Sequence, residues 1–305
     1  MKVDKKSFET TNCIVCDVDD THKVSKRGQF GFPAHVVICR QCGLTYLNPR
    51  WNKKRLNHFY ENEYDDYYRP DMNDTEKKSA YIPIYERLKS KNFQIDNMSR
   101  ILDIGSGAGY NLKFLIDKIP DAEFYAIEPS PECRNTLKEM NVKILGTDVE
   151  QKFDPKHNGY FDLIIMRHVL EHFGNPIKVL EQVMTLLKDD GILYIAVPNS
   201  LYYGKYTLQN HFFRMVHTYY FSIHSLKNVF NKAGLNTIWM EEGDDYNDME
   251  LYTVVRKGEV KEPLLNKKNY DEQKKIYQQY LKVENSPIVR LKKLVKSVRS
   301  KVRIL

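Results

Sequence analysis

No run of about 18 consecutive apolar residues occurs in the chain, which excludes a membrane-spanning helix by the length such a helix needs. The opening stretch MKVDKKSFETTNC is charged and has no apolar centre, so it does not read as a secretory signal, and a cytoplasmic protein is expected. Internal repeats and low-complexity tracts are missing. Cysteine is scarce, five in all, and in a reducing compartment disulfides are not expected. A charge bias is missing from the body as well. The formal net charge is +7, and seven unopposed cations lie after Asn285: Arg290, Lys292, Lys293, Lys296, Arg299, Lys301 and Arg303. The rest balances to about zero, so the body has none of the basic bias of a nucleic-acid-binding surface.

What is present divides into four zones. Residues 1–50 carry two cysteine pairs among short apolar stretches. Residues 51–98 are rich in tyrosine and charge, read as helical connections, and include a candidate lid at about 59–85. Residues 99–258 alternate strands with helices. Residues 259–305 are helical and end in a basic amphipathic tail. In the third zone, RILDIG, EFYAIEPS, VKILG, YFDLIIM and GILYIAVPN read as strands. YNLKFLIDKI, PECRNTLKEM, PIKVLEQVMTLLK and SIHSLKNVFNKAG read as helices, with Pro131 suited to a first turn, Ser222 to an N-cap and Gly234 to a C-terminal stop. LNTIWMEEG and ELYTVVRKG, joined by a short connection, read as an antiparallel pair. Solidly apolar strands alternating with helices predict an α/β, Rossmann-like, mostly parallel sheet with helices on both faces.

The first of these strands ends in ILDIGSGAGYN. Asp103 precedes Gly105, Gly107 and Gly109, which permit a tight turn and close approach of a ligand to the backbone, and the following helix directs its free N–H groups there. The dinucleotide fingerprint is not met: the third glycine comes one residue early, and Tyr110 stands where that fingerprint has glycine. Glu128, at the end of the second strand, is placed to accept hydrogen bonds from ribose hydroxyls. The two features together predict a nucleoside site.

The series D-x-G-x-G-x-G, then E-P, then FDLIIMRHVLEHF, then LLKDDGILYIAVPN resembles the class I S-adenosylmethionine-dependent methyltransferases over Arg100 to about Lys257. The resemblance implies seven strands with the last antiparallel. It implies that Asp103, Gly105, Gly107 and Gly109 hold the methionine end of S-adenosylmethionine and that Glu128 holds the ribose. Asp148 would meet the adenine amino group, with Glu150 close by, and Arg167 would stand beside the methionine portion.

The stretch MRHVLEHFGNP contains His168, Glu171 and His172, spelling the H-x-x-E-H of one class of zinc peptidase. Here it follows a buried strand, at the carboxyl end where open parallel sheets bind ligands. The expected role is the acceptor side of a methyl-transfer site. One reading gives His168 or His172 a proton to move; the other makes Glu171 and His172 fix the loop and His168 a pocket wall. Downstream, H-x-x-x-F-S-x-x-S-L resembles the methyltransferase segment that folds over the acceptor. It makes His217 a third candidate base or acceptor contact, while His211 and His224 read as surface or capping residues.

Cys13, Cys16, Cys39 and Cys42 form two C-x-x-C pairs that suit one structural zinc with no open position, with Gly43 turning the second knuckle. Cys133 reads as an inert, partly buried thiol. C-x-x-C-G-L-T-Y-L-N-P-R followed by FYENEY resembles the N-terminal zinc-binding region of methyltransferases of sugar and polysaccharide biosynthesis, without the further C-terminal domain of the long sugar C-methyltransferases. In the tail, Ile288, Leu291, Val295, Val298, Val302 and Leu305 form one apolar stripe between the cations, so residues 287–305 read as a helix lying on an anionic membrane. The expectation is O-methylation of a sugar or surface-glycan precursor, lipid-linked if the tail meets the inner face of a membrane. C-methylation of a nucleotide-linked sugar, methylation of RNA or protein, a zinc hydrolase using His168, Glu171 and His172, and a non-enzymatic zinc-ribbon adaptor are the alternatives.

Overall fold

The computed structural model of the protein describes residues 5–68, 83–201, 212–243 and 248–287. The N-terminal part contains β1 (Phe8–Glu9), β2 (Thr21–Ser25), β3 (Val36–Cys39), β4 (Thr45–Leu47) and β5 (Arg50–Trp51), followed by α1 (Lys53–Asn62), α2 (Tyr64–Tyr68) and α3 (Ile84–Ser90). Then come β6 (Arg100–Ile104), α4 (Tyr110–Lys118), β7 (Glu123–Ile127), α5 (Pro131–Glu139), β8 (Lys143–Gly146), β9 (Phe161–Arg167), α6 (Pro176–Leu186) and β10 (Leu187–Pro198). β11 (Tyr219–Tyr220), α7 (Ile223–Lys232), β12 (Leu235–Glu242), β13 (Glu250–Lys257) and α8 (Lys267–Glu284) complete the order.

Seven strands form the expected sheet, in the order β12-β13-β10-β9-β6-β7-β8. β13 runs antiparallel to both neighbours, and the pairings among β6 to β10 are parallel. Alternation along β9 shows why both faces must be covered. Ile164 and Met166 pack with Val179, Leu180 and Val183 of α6 and with Val229 and Phe230 of α7. Leu163 and Ile165 face the opposite layer with Leu88, Leu112, Leu115 and Leu137 from α3, α4 and α5.

Local signals account for the helix starts. Ser130 caps α5 with Pro131 in the first turn, Asn175 caps α6 ahead of Pro176, and Ser222 and Ser225 form a reciprocal capping box on α7. α6 is two residues shorter than PIKVLEQVMTLLK suggests. Leu187 is already extended and pairs with Phe161, and the ladder slips before resuming at Ile192. The sheet's pairing therefore ends the helix before its apolar periodicity does.

The cysteine-bearing segment is not closed on itself. Its four-stranded sheet has the order β11-β4-β3-β2, so Tyr219 and Tyr220, from far along the chain, supply an edge strand. α8 packs on the other side, with Tyr270 and Tyr277 buried in the cluster that holds Phe32, Trp51 and Phe59. Cys133 is fully buried rather than partly so. His211, the apolar stripe from Ile288 onward and residues 69–82 of the candidate lid lie outside the described residues. Among the described residues, no helix is long and apolar enough to cross a membrane.

Candidate active site

A cavity of about 530 Å³ opens at the carboxyl ends of β6, β7 and β9. One wall includes Gly105, Glu128, Asp148, Glu150, His168 and His172; Trp51, Lys53, Tyr60 and Tyr64 face them from the N-terminal helices and their lead-in. The sheet supplies the first wall because its parallel strands all end there.

The glycine loop is held from below. Gly105 has φ +70°, and a Cβ on it would stand 2.5 Å from Val169 Cγ2, so both conformation and space demand glycine. Glu128, 3% exposed, accepts the Gly107 N–H at 2.7 Å and the Ser130 N–H at 2.9 Å. Asp103 lies buried behind the loop, and its Oδ2 has no hydrogen-bond partner among the described residues. Burial, then the neighbouring Glu128 charge, pushes its carboxyl up to about 8, against the pull of Arg167. Asp148 accepts the Glu150 N–H at 2.8 Å, and Glu150 pairs with Lys53 at 2.7 Å.

Arg167 is turned toward Glu250, with Nη2 at 2.9 Å and Nε at 3.3 Å from its two oxygens; it does not line the cavity. Glu250, the first residue of β13, also takes His168 Nε2 at 2.7 Å. Burial opposes the His168 charge, but Glu250 and Glu171 outweigh it and raise the imidazole to about 9. Glu250 is correspondingly held down at about 2, its own burial being overcome by His168 and Arg167. His168 adopts φ +54°, a left-handed conformation unfavourable for a non-glycine residue, as its N–H reaches the Ala196 carbonyl at 2.8 Å.

The chain then makes one short turn of 3-10 helix over Leu170–His172. A metallopeptidase motif on a long α-helix is therefore not what forms here. His172 Nδ1 lies 3.0 Å from the Val216 carbonyl and bonds the Tyr60 hydroxyl. The His172 and His217 rings meet edge to face at 4.8 Å. Burial pushes both imidazoles down, His217 well below the ordinary histidine value. His217 sits beneath the cavity wall, not on it. His224 is exposed on α7 and takes no part in the site.

Thus Gly105, Glu128, Asp148, His168 and His172 come together at the cavity, with Asp103, Gly107, Gly109, Arg167 and His217 behind it. Sequence reasoning missed Glu250 and Tyr60. An acid opening an otherwise apolar strand, ELYTVV, was the available signal for Glu250. Tyr60 had no signal that set it apart from its tyrosine-rich surroundings.

The four thiols converge at the far end of the N-terminal sheet. Cys13 and Cys42 sulfurs are 3.6 Å apart, Cys16 and Cys39 sulfurs 3.8 Å, and all four lie within 4.8 Å of one another. Zinc–sulfur bonds of about 2.3 Å in a tetrahedron separate sulfurs by about 3.8 Å, so the set fits such an ion. Gly43, with φ +79°, turns the second knuckle, and a Cβ there would stand 2.7 Å from the Asn269 carbonyl carbon of α8.

This sheet order, loop and cavity are those of an α/β fold that binds a nucleoside at the carboxyl ends of its strands. A family model described as a methyltransferase domain matches residues 74–239, more than half of the chain, and the chain belongs to that family. The chain is 33% identical over 123 residues to a malonyl-[acyl-carrier protein] O-methyltransferase of Acetivibrio thermocellus, covering 37% of this chain and 42% of that one. It is 23% identical over 224 residues to the C-methyltransferase NovU of Streptomyces niveus, covering 71% of this chain and 50% of that one. The chain spans about half the length of these curated relatives, or less. Among solved structures, the 1,6-didemethyltoxoflavin-N1-methyltransferase of Burkholderia thailandensis superposes with a TM-score of 0.55 at 16% identity, over 79% of this chain and all of that one, which establishes the shared fold.

Replacing Glu250 by glutamine leaves the Arg167 and His168 charges without their shared partner. The expected cost is about 3 kcal/mol of folding stability, read as a lower midpoint in urea denaturation.

Proposed function

We propose that the protein transfers a methyl group from S-adenosylmethionine to a hydroxyl of a sugar or surface-glycan precursor. The observation that carries the cofactor half is the partnerless buried oxygen of Asp103 beside a glycine loop that Glu128 holds open. An unpaired buried carboxylate fits a ligand ammonium, and Glu128 and Asp148 on the cavity wall fit the ribose and the adenine. The Burkholderia relative was solved with S-adenosylhomocysteine, which supports the same ligand class here. When bound, S-adenosylmethionine supplies an electrophilic methyl on a sulfonium.

On the acceptor side, His168 is held as a cation by two carboxylates and is a poor base near neutrality. His172 and His217, kept neutral by burial, each keep a lone pair for a proton or another electrophile, so activation of the acceptor falls to the cluster of Glu171, His172 and His217. Arg167 serves through Glu250, by fixing His168. The O-methyl chemistry named for the Acetivibrio relative supports an oxygen acceptor, the resemblance of the cysteine-bearing segment to methyltransferases of sugar biosynthesis supports the sugar reading, and the C-methyl chemistry named for NovU supports C-methylation of a sugar as the second reading. The spacing of the four sulfurs supports a structural zinc on Cys13, Cys16, Cys39 and Cys42. The basic stripe at 287–305 is proposed to bring the enzyme to an anionic membrane carrying the acceptor.

Calorimetric titration of S-adenosylmethionine is expected to show binding by the wild type and a loss of about tenfold or more in Glu128→Ala. No binding by the wild type would overturn the reading. Binding is also expected to release a proton at pH 7. The Asp103 carboxyl, near 8 rather than the ordinary 3.8, is largely protonated in the free protein, and a cation beside it lowers that value. The release, measured in buffers of different ionisation enthalpy, should fade above about pH 9, where the proton is already gone, and vanish in Asp103→Asn. Cys39→Ser is expected to abolish tight zinc retention and lower the thermal midpoint; a wild-type protein purified without zinc and unresponsive to it would refute the structural-zinc assignment.

A further inference from the structure

Behind the cavity wall, Glu171, His172 and His217 face one another with buried polar atoms left unpartnered. Glu171 is 1% exposed, and neither carboxylate oxygen has a hydrogen-bond partner among the described residues. The nearest ring nitrogens are His168 Nδ1 at 3.5 Å and His172 Nε2 at 3.7 Å. His172 Nδ1 stands 3.0 Å from the Val216 carbonyl oxygen. A carbonyl only accepts, while the Tyr60 hydroxyl at the same nitrogen can accept or donate; with the proton on Nδ1 toward Val216, Nε2 turns a bare lone pair toward Glu171. His217 adds a buried Nδ1 that also lacks a partner. One ligand atom from each of Glu171, His172 and His217 lies within 4.8 Å of the others. A cation among them answers the Glu171 oxygens, which have only the longer contact with His168, and the ring nitrogens turned toward them.

We propose that Glu171, His172 and His217 bind a divalent transition-metal ion, a second metal site distinct from the four cysteines. Two imidazoles and one carboxylate form a set used by catalytic zinc and by non-haem iron(II), with positions left open. The Val216 carbonyl gives His172 the outer hydrogen bond that metal-ligating histidines make. Metal–ligand bonds of about 2.0–2.1 Å place tetrahedral donors about 3.4 Å apart, so side-chain rotation must draw the three together. The set is not that of the peptidase pattern: His168 is engaged by Glu250, and His217 takes its place. His172 also lines the cavity while Glu171 and His217 lie behind it, so the ion sits just beneath the cavity floor. An open coordination position turned toward the cavity lets it act as a Lewis acid on the acceptor hydroxyl, the two imidazoles then serving as ligands and not as bases. The proton leaves to water, the oxygen's electron pair forms the C–O bond, and the C–S bond breaks with its pair going to sulfur. This catalytic role rests on the methyl-transfer reading; ion binding does not.

The full chain with zinc on its cysteines is titrated with Co²⁺ alone and read by metal content and visible absorption. One equivalent should bind with d–d bands and no thiolate charge transfer. Glu171→Gln and His217→Asn should each weaken it by about tenfold or more, with one zinc per chain retained. Absence of cobalt binding to wild type, bands of thiolate character only, or unchanged affinity in both folded variants would overturn the site, and the wild-type titration decides even if a variant fails to fold. Cobalt bound without S-adenosylmethionine binding sinks the methyl-transfer reading alone; the reverse sinks the metal site alone.

Discussion

The end of β9 is governed by one buried carboxylate. Glu250 gathers Arg167 and His168 onto itself, and this is what makes a left-handed histidine tolerable at the mouth of the cavity. The topology makes the contact available. A parallel strand begins at the end of the sheet away from the ligand, but β13 is antiparallel, so its first residue lies beside the carboxyl ends of β9 and β10. Glu250 pairs across from Pro198 in that ladder. With His168 fixed, the short turn that follows has one way to continue. It carries Glu171 inward and sets His172 against Val216.

The opposite wall depends on a second tie. Arg50, largely buried, donates to Glu9 at 2.9 Å, to the Gly174 carbonyl at 2.7 Å and to the Tyr219 hydroxyl at 2.9 Å. One guanidinium thus joins β1, the turn after His172 and the strand that completes the cysteine-bearing sheet. Its rigid fork makes three bonds that a lysine's point charge would not reproduce. Thr218 adds a bond to the His172 carbonyl at 3.1 Å. The cysteine cluster is therefore coupled to the cavity through β4, β11 and α1, although no cysteine lines it.

The sheet was legible because its strands are solidly apolar and its helices begin with caps: Ser130, Asn175 and Ser222 act locally, and local chemistry can be read from a string of letters. The glycine loop was legible for the same reason. Three things were not. The boundary between α6 and β10 is set by pairing to Phe161, which lies outside any local window. β11 joins a sheet whose other strands precede it by more than 150 residues, so no periodicity near Tyr219 predicts it. Glu250 acts on residues 82 and 83 positions earlier, and its function exists only through the antiparallel return of the last strand.

Chain position did not reveal how three neighbouring histidines would divide their work, because the division is electrostatic. His168 stands between two carboxylates and is charged. His172 is placed against the Val216 carbonyl and the Tyr60 hydroxyl and is buried enough to stay neutral. His217 is buried deeper, with His172 and Arg214 disfavouring a proton further. Environments that push like groups apart are how one site obtains both a cationic anchor and neutral lone-pair donors. The same separation explains why H-x-x-E-H is a misleading string here: Glu250, absent from the pattern, removes His168 from the lone-pair donors and leaves Glu171 and His172 to find their third partner across the fold.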